Sequence, residues 1–170
     1  KYFYFILIAS IPTLAIGFIL VKTGYIYKLR TNMELIGWIN LIFAFLLLLS
    51  DRNYFQKYEN RIKSKHFLII GLFQILSLIP GVSRSGICFT TSRAMGLNRI
   101  ISAKIAILLS LPIIFCAGLY TVTKLIQTND AVFIFHTILA LSLSFLFSLF
   151  SIRIILSVIE RFNVIPFVVY

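Results

Sequence analysis

The chain contains four long apolar runs without Lys, Arg, Asp or Glu, at residues 2–21, 35–50, 105–123 and 131–152. A helix of roughly 20 such residues crosses the hydrocarbon core of a bilayer, because its backbone polar groups satisfy one another. Composition agrees: 12% of the residues are charged, against about a quarter in a soluble domain. The sequence therefore predicts an all-α fold, a polytopic membrane helical bundle that forms one integral membrane domain over residues 1–170.

Two further apolar segments, at residues 67–79 and 87–97, are each too short to span a bilayer. Pro80 and Gly81 separate them. Short apolar segments interrupted by Pro and Gly are typical of broken helices in membrane proteins, whose irregular backbone faces protein or a wet cavity. We expect a re-entrant helix pair that enters the membrane and returns to its own side.

The net charge of +11 does not indicate nucleic-acid binding, because Lys and Arg lie between the apolar runs. They are better explained as topology signals and contacts to lipid headgroups. The polar segments 51–66, 99–104 and 153–161 carry nine Lys or Arg, and the segments 22–32 and 124–130 carry four. The positive-inside rule predicts that the first set is cytoplasmic.

The loop between the two short segments carries the chemistry. Ser83, Arg84 and Ser85 lie between Gly81 and Gly86, at the expected start of a helix. Helix N-termini bind anions, glycines allow a ligand to approach the backbone, and an Arg fork matches phosphate. An Arg at membrane depth is also costly unless it has a partner. We therefore predict an anion-binding site with Arg84 as its main charge.

The sequence leaves two aspects of this site undetermined, the role of Arg93 and the source of a carboxylate. Arg93 lies on the following helix, where it reaches the same anion, extends to the headgroups or packs on a partner helix. The acidic residues lie at span ends or in loops, none near Ser83 in sequence: Glu34, Asp51, Glu59, Asp130 and Glu160. Cleavage of a phosphoanhydride needs a base or a metal to activate water, and none of these carboxylates lies near the loop in sequence. The loop therefore represents the anion-binding half of a site.

Residues 74–97, QILSLIPGVSRSGICFTTSRAMGL, resemble the second signature of the bacterial undecaprenyl-diphosphate phosphatase (bacitracin-resistance) family. That signature is P-G-x-S-R-S-G-x-T, with Gln upstream and G-L-x-R downstream. Weaker similarities at 9–18, 103–118 and 162–170 follow the family's order and extend over nearly the whole chain. One departure is Cys88, which stands where the family has Thr.

The resemblance implies hydrolysis of undecaprenyl diphosphate to undecaprenyl phosphate, which recycles the lipid carrier for peptidoglycan synthesis and confers bacitracin resistance. It implies that Ser83, Arg84 and Ser85 are catalytic, and that Gly81, Gly86, Cys88 and Arg93 contribute to substrate binding, with no metal ligand in this set. A divalent metal, Mg or Ca, is expected to be bound mainly by the family's first signature, which this chain lacks. The chain alone is therefore expected to be inactive.

The resemblance also implies two inverted repeats. Residues 1–50 would end the first repeat, 51–66 form a polar loop, and 67–170 make up most of the second, in a fragment that lacks sequence at both ends. The site is expected to open to the periplasmic side of the bacterial plasma membrane, although the charges place the loop's entry on the cytoplasmic side. A lipid-phosphate flippase or broken-helix transporter is the alternative, because such proteins share broken helices and repeats.

Overall fold

The computed structural model describes residues 3–24, 31–51, 62–126 and 131–162. Its α-helices, in chain order, are α1 (Phe3–Lys22), α2 (Met33–Asp51), α3 (Ser64–Phe73), α4 (Arg84–Ala94), α5 (Arg99–Ile126) and α6 (Ala131–Phe162). A 3-10 helix, Gln74–Leu78, continues α3. The helical bundle expected from the sequence is thus confirmed.

Four helices, α1, α2, α5 and α6, are long and apolar enough to cross a membrane. They correspond to the four predicted spans, but two extend into segments predicted as loops. Helix α5 already begins at Arg99, because Asn98 Oδ1 accepts a hydrogen bond from Ile101 N at 2.8 Å and caps the helix. Helix α6 continues to Phe162. The loop assignments at 99–104 and 153–161 were therefore wrong.

The polar loop predicted at 51–66 is also shorter than expected. Asp51 is the last residue of α2, and Ser64 is the first residue of α3. Residues 52–61 lie outside the described part of the chain. His66, expected at a loop edge, is buried in the first turn of α3, where its Nδ1 accepts a hydrogen bond from Lys63 N at 3.1 Å.

Helix α3 and its 3-10 continuation run parallel to α1. Contacts recur in the same order along both: Phe5 stacks on Phe67, Ala9 touches Gly71, and Gly17 lies against Leu78. Since α3 starts beside the beginning of α1, the chain enters the bundle there and moves toward the far end of α1.

Helix α4 then returns along α2. The turn before it and the first residues of α4, 79–86 together, form what we call the tip. The tip lies beside the start of α2, because a Cβ on Gly81 would be 2.8 Å from Ile36 O. At the other end of α4, Arg93 binds Asp51, the last residue of α2. The fifteen-residue separation between Ile36 and Asp51 corresponds to about 22 Å of helix. The re-entrant pair is therefore present, and its tip reaches across most of the roughly 30 Å hydrocarbon core.

The core lies between α1, α3, α4 and α5. Its most deeply buried apolar side chains include Phe67, Ile70, Cys88, Leu97, Ile105 and Leu109. Large apolar side chains on the outer surfaces of the spanning helices are exposed, as is expected of helices surrounded by lipid. The packed core therefore holds the re-entrant pair, while the spanning helices present an apolar surface to the membrane.

Candidate anion site at the tip of the re-entrant pair

Ser83 begins helix α4 as its N-cap. Its backbone is extended, and its Oγ accepts a hydrogen bond from Gly86 N at 3.2 Å. Ser85 Oγ lies 3.4 Å from Ser83 Oγ, and both serines are exposed. Two hydroxyls thus lie side by side at the positive end of the α4 dipole, an arrangement that suits an anion.

The two glycines that flank the serines have structural reasons to be glycine. Gly81 has a φ of +97°, a conformation that side chains disfavour, and its Cα faces the backbone of α2 at Ile36. A Cβ on Gly86 would lie 3.0 Å from Ser83 Cβ. Gly81 lets the tip approach α2, and Gly86 leaves room for the serine cap.

Arg84 is partly buried, and its Nε is buried without a hydrogen-bond partner among the described residues. Three other buried side-chain atoms are in the same condition: Thr13 Oγ1, Gln74 Oε1 and Ser77 Oγ. They belong to α1 and the 3-10 helix, which pack on each other, and the 3-10 helix packs on α4. A buried polar atom without a partner costs about 1–3 kcal/mol. These four atoms are therefore candidates for hydrogen bonds to groups outside the described residues.

A cavity of about 670 Å³ opens on another side of the tip, between α2, α4, α5 and α6. Ser83, Ser85 and Asn40 contribute polar groups to its lining, which is otherwise mainly apolar. Arg84 and Cys88 do not line it. They lie four residues apart on one face of α4, and Cys88 is fully buried in the core. The structure therefore brings the two serines together at the cavity and places the Arg84 side chain outside its lining.

Arg93 lies at the opposite end of α4, roughly 14 Å along the helix from Arg84. Its Nε donates to Asp51 Oδ1 at 2.9 Å, and its Nη1 donates to Leu97 O at 2.7 Å. The sequence left three roles open for Arg93, and the structure supports one of them, packing on a partner helix. It does not place Arg93 beside the serines, so the predicted contact with the same anion has no geometric support.

The sequence pattern placed Asp51 in a loop and gave no indication that its carboxylate binds two arginines. Its carboxylate also accepts two hydrogen bonds from Arg99 Nε, at 2.9 and 3.1 Å, and one from Arg99 Nη2 at 2.8 Å. We call Asp51, Arg93 and Arg99 the base triad. Their separations of 42 and 48 residues hide the contact from sequence patterns. The one available signal was a carboxylate at the end of an apolar run.

The described residues do not form a metal site by themselves, because no three His, Cys, Asp or Glu side chains come together among them. The buried carboxylate of Asp51 is already bound by two guanidinium groups. The part of the chain that the structure describes therefore offers hydroxyls, helix N–H groups and a guanidinium for an anion. Together, fold and site define a multi-pass membrane protein with a re-entrant helix pair, whose tip presents two hydroxyls at a helix start.

Comparison with known proteins agrees with this class. Residues 1–170 match the family described as bacitracin resistance protein BacA, and the chain belongs to that family. Among its relatives are proteins named undecaprenyl-diphosphatase from Pelagibacter ubique, 38% identical over 97% of this chain, and from Jannaschia sp., 33% identical over all of it. A third, from Alteromonas mediterranea, is 34% identical over all of it. The chain spans 64% of the length of each of these relatives.

Proposed function

We propose that this chain provides the anion-binding part of an enzyme that hydrolyses undecaprenyl diphosphate to undecaprenyl phosphate and phosphate. The main support is the tip, where Arg84 Nε is buried without a partner among the described residues, next to a serine-capped helix start. The names of the relatives support the substrate. Such an enzyme recycles the lipid carrier for peptidoglycan synthesis and confers bacitracin resistance.

In this proposal the hydroxyls of Ser83 and Ser85 and the first N–H groups of α4 donate to oxygens of the diphosphate. Arg84 adds a charged, forked donor, which gains strength where water is excluded. These donors counter the negative charge that develops on the leaving group, undecaprenyl phosphate. The apolar cavity beside the serines accommodates the first isoprene units of the lipid, because its lining lacks charged side chains among the described residues.

Activation of water requires groups beyond those of the tip. The described residues do not fit a divalent metal on their own, because they bring no three metal-binding side chains together and two arginines already bind the carboxylate of Asp51. We therefore propose that Mg or Ca is bound mainly by residues outside this chain. The chain alone is then expected to bind the diphosphate without hydrolysing it.

We further propose that the protein lies in the bacterial plasma membrane with its tip accessible from the periplasm. The basic segments 51–66 and 99–104 begin at Asp51 and Arg99, which bind each other at one end of the bundle, and this favours a cytoplasmic location for that end. Because the tip lies about 22 Å from that end along α2, entry of the loop from the cytoplasmic side is compatible with a periplasmic opening.

The test is phosphate release from a long-chain isoprenyl diphosphate by the full-length protein, in which the chain carries the additional segments of its relatives. We expect Arg84→Ala to lower kcat by about 100-fold or more, because a preorganised donor is lost. Arg84→Lys should recover part of the rate, since it retains charge without the fork. The control is Arg153→Ala on the exposed surface of α6.

Near-normal turnover by the Arg84→Ala variant would remove Arg84 from the mechanism. Movement of the lipid across vesicles without phosphate release would instead favour a flippase, to which a broken helix pair is equally suited.

A further inference from the structure

The base triad is the most strongly bonded polar cluster among the described residues outside the tip. One carboxylate, Asp51, receives hydrogen bonds from two arginines that belong to different helices, Arg93 at the end of α4 and Arg99 at the start of α5. Asp51 itself ends α2. Three helix ends are therefore joined through a single side chain.

The charges of the base triad make this junction depend on Asp51. The side chains of Asp51 and Arg93 are 6% and 3% exposed, whereas Arg99 is 29% exposed. Without the carboxylate, two neighbouring guanidinium groups would repel each other, and Arg93 would remain buried without a counter-charge among the described residues. A buried charge that loses its partner is strongly destabilising, so the end of α4 must move toward water or headgroups.

Movement at the base is transmitted to the tip, because α4 is one helix of eleven residues. Arg93 lies nine residues after Arg84, and a helix is stiff over that length. The turn between α4 and α5 adds to the constraint, since Arg93 Nη1 also binds Leu97 O at 2.7 Å. The axial position of α4 thereby determines how deep Ser83 and Arg84 lie beside α2.

We propose that Asp51 is a positioning residue: by binding Arg93 and Arg99 together it sets the depth of the tip, and thus the placement of the donors that grip the diphosphate. The last step rests on the proposed function. The effect on tip depth does not, and it is measured without substrate.

The first experiment measures tip depth in the full-length protein through the reactivity of a Ser85→Cys thiol with a membrane-impermeant maleimide. Ser85 is exposed at the cavity, and the protein without this substitution, which retains Cys88 and Cys116, serves as the blank. We expect Asp51→Asn to change the labelling rate. The matched control is Glu34→Gln, which removes one negative charge from the exposed first turn of the same helix and should leave the rate unchanged.

The second experiment measures phosphate release by Asp51→Asn and Glu34→Gln in the full-length protein that retains Ser85. A substitution that merely unfolds a fraction of the protein molecules lowers the apparent kcat and leaves KM unchanged. Misplaced donors also weaken substrate binding, so we expect Asp51→Asn to raise KM and to lower kcat/KM by roughly 10- to 100-fold. Charge exchange in Asp51→Arg/Arg99→Asp keeps one carboxylate between two arginines and should recover part of that loss.

If Asp51→Asn does not assemble, Arg99→Lys takes its place, because lysine keeps the charge but cannot bind both carboxylate oxygens through a fork. An unchanged labelling rate in a folded Asp51→Asn or Arg99→Lys variant overturns the proposal. A loss of kcat at constant KM also overturns it. Absence of hydrolysis by the unmodified full-length protein would overturn the proposed function and leave the labelling result to decide this inference.

Discussion

At the scale of residues, the tip combines groups that have different neighbours. Ser83 and Ser85 face an apolar cavity, whereas Arg84 shares a helix face with buried Cys88. The family's Thr at the position of Cys88 would therefore add a hydroxyl within the core of this fold. We infer that Cys88 affects Arg84 through packing, and its predicted contact with substrate remains a prediction.

The first residue-scale prediction concerns Gly81. Substitution Gly81→Ala introduces a Cβ at a φ of +97° and 2.8 Å from Ile36 O. We expect the free energy of unfolding to fall by about 1–3 kcal/mol, the usual cost of such backbone strain. Thermal unfolding in detergent measures it. The control Gly118→Ala lies in α5, where a Cβ would meet nothing within 4 Å, and should not destabilise. Equal midpoints for the two variants would contradict the close approach of the tip to α2.

At the scale of elements, the re-entrant pair is held by two parallel partners. Helix α3 lies along α1, and α4 lies along α2. Small residues permit the first of these contacts, since the backbones of Ala9 and Gly71 touch. Close approach through small residues is a common means of helix association in membranes, where there is no hydrophobic driving force between helices.

The corresponding prediction concerns Gly71. A Cβ at this position would meet Ala9 O and lie 2.8 Å from Ala9 Cα, and neither backbone can rotate away as a side chain does. We expect Gly71→Ala to destabilise the protein by about 1–3 kcal/mol, as overpacking does, and to loosen α3 from α1. Unfolding in detergent is the measurement. Gly37→Ala on α2, with open space around it, is the control, and a loss equal to that of Gly37→Ala would refute the contact.

At the scale of the whole molecule, the bundle has two chemically distinct ends. One contains the base triad and the beginning of α3. The other contains the end of α1, and the tip approaches it. The basic segments 51–66 and 99–104 begin at the first end, with Asp51 and Arg99, and together they carry seven Lys or Arg.

We therefore predict opposite labelling of two added thiols by an impermeant maleimide in intact cells. Thr23→Cys follows the end of α1 and Ser64→Cys begins α3, and both positions are exposed. Thr23→Cys should react from outside the cell. Ser64→Cys should react only after the membrane is opened, because the positive-inside rule predicts a cytoplasmic location for this end. The reverse pattern would invert the topology and place the tip opening on the cytoplasmic side.

The spanning helices and the break between the short segments were predictable because they depend on local properties of the chain. An apolar run of sufficient length must form a helix in lipid, and a Pro-Gly pair interrupts one. The helix start at Ser83 was predictable for the same reason. Helix ends were less so: the loops expected at 99–104 and 153–161 are helical, since charged residues do not end a helix that leaves the hydrocarbon.

The sequence by itself thus determined that the chain is a membrane bundle with a broken helix pair and a helix start at Ser83. Only the tertiary structure decided that Arg93 lies far from that turn, that Cys88 is buried, and that Asp51 joins three helix ends. The physical reason is the range of the interactions. Hydrophobicity, capping and backbone conformation act within a few residues, whereas the contacts of the base triad join residues 42 and 48 positions apart and exist only once the helices have packed.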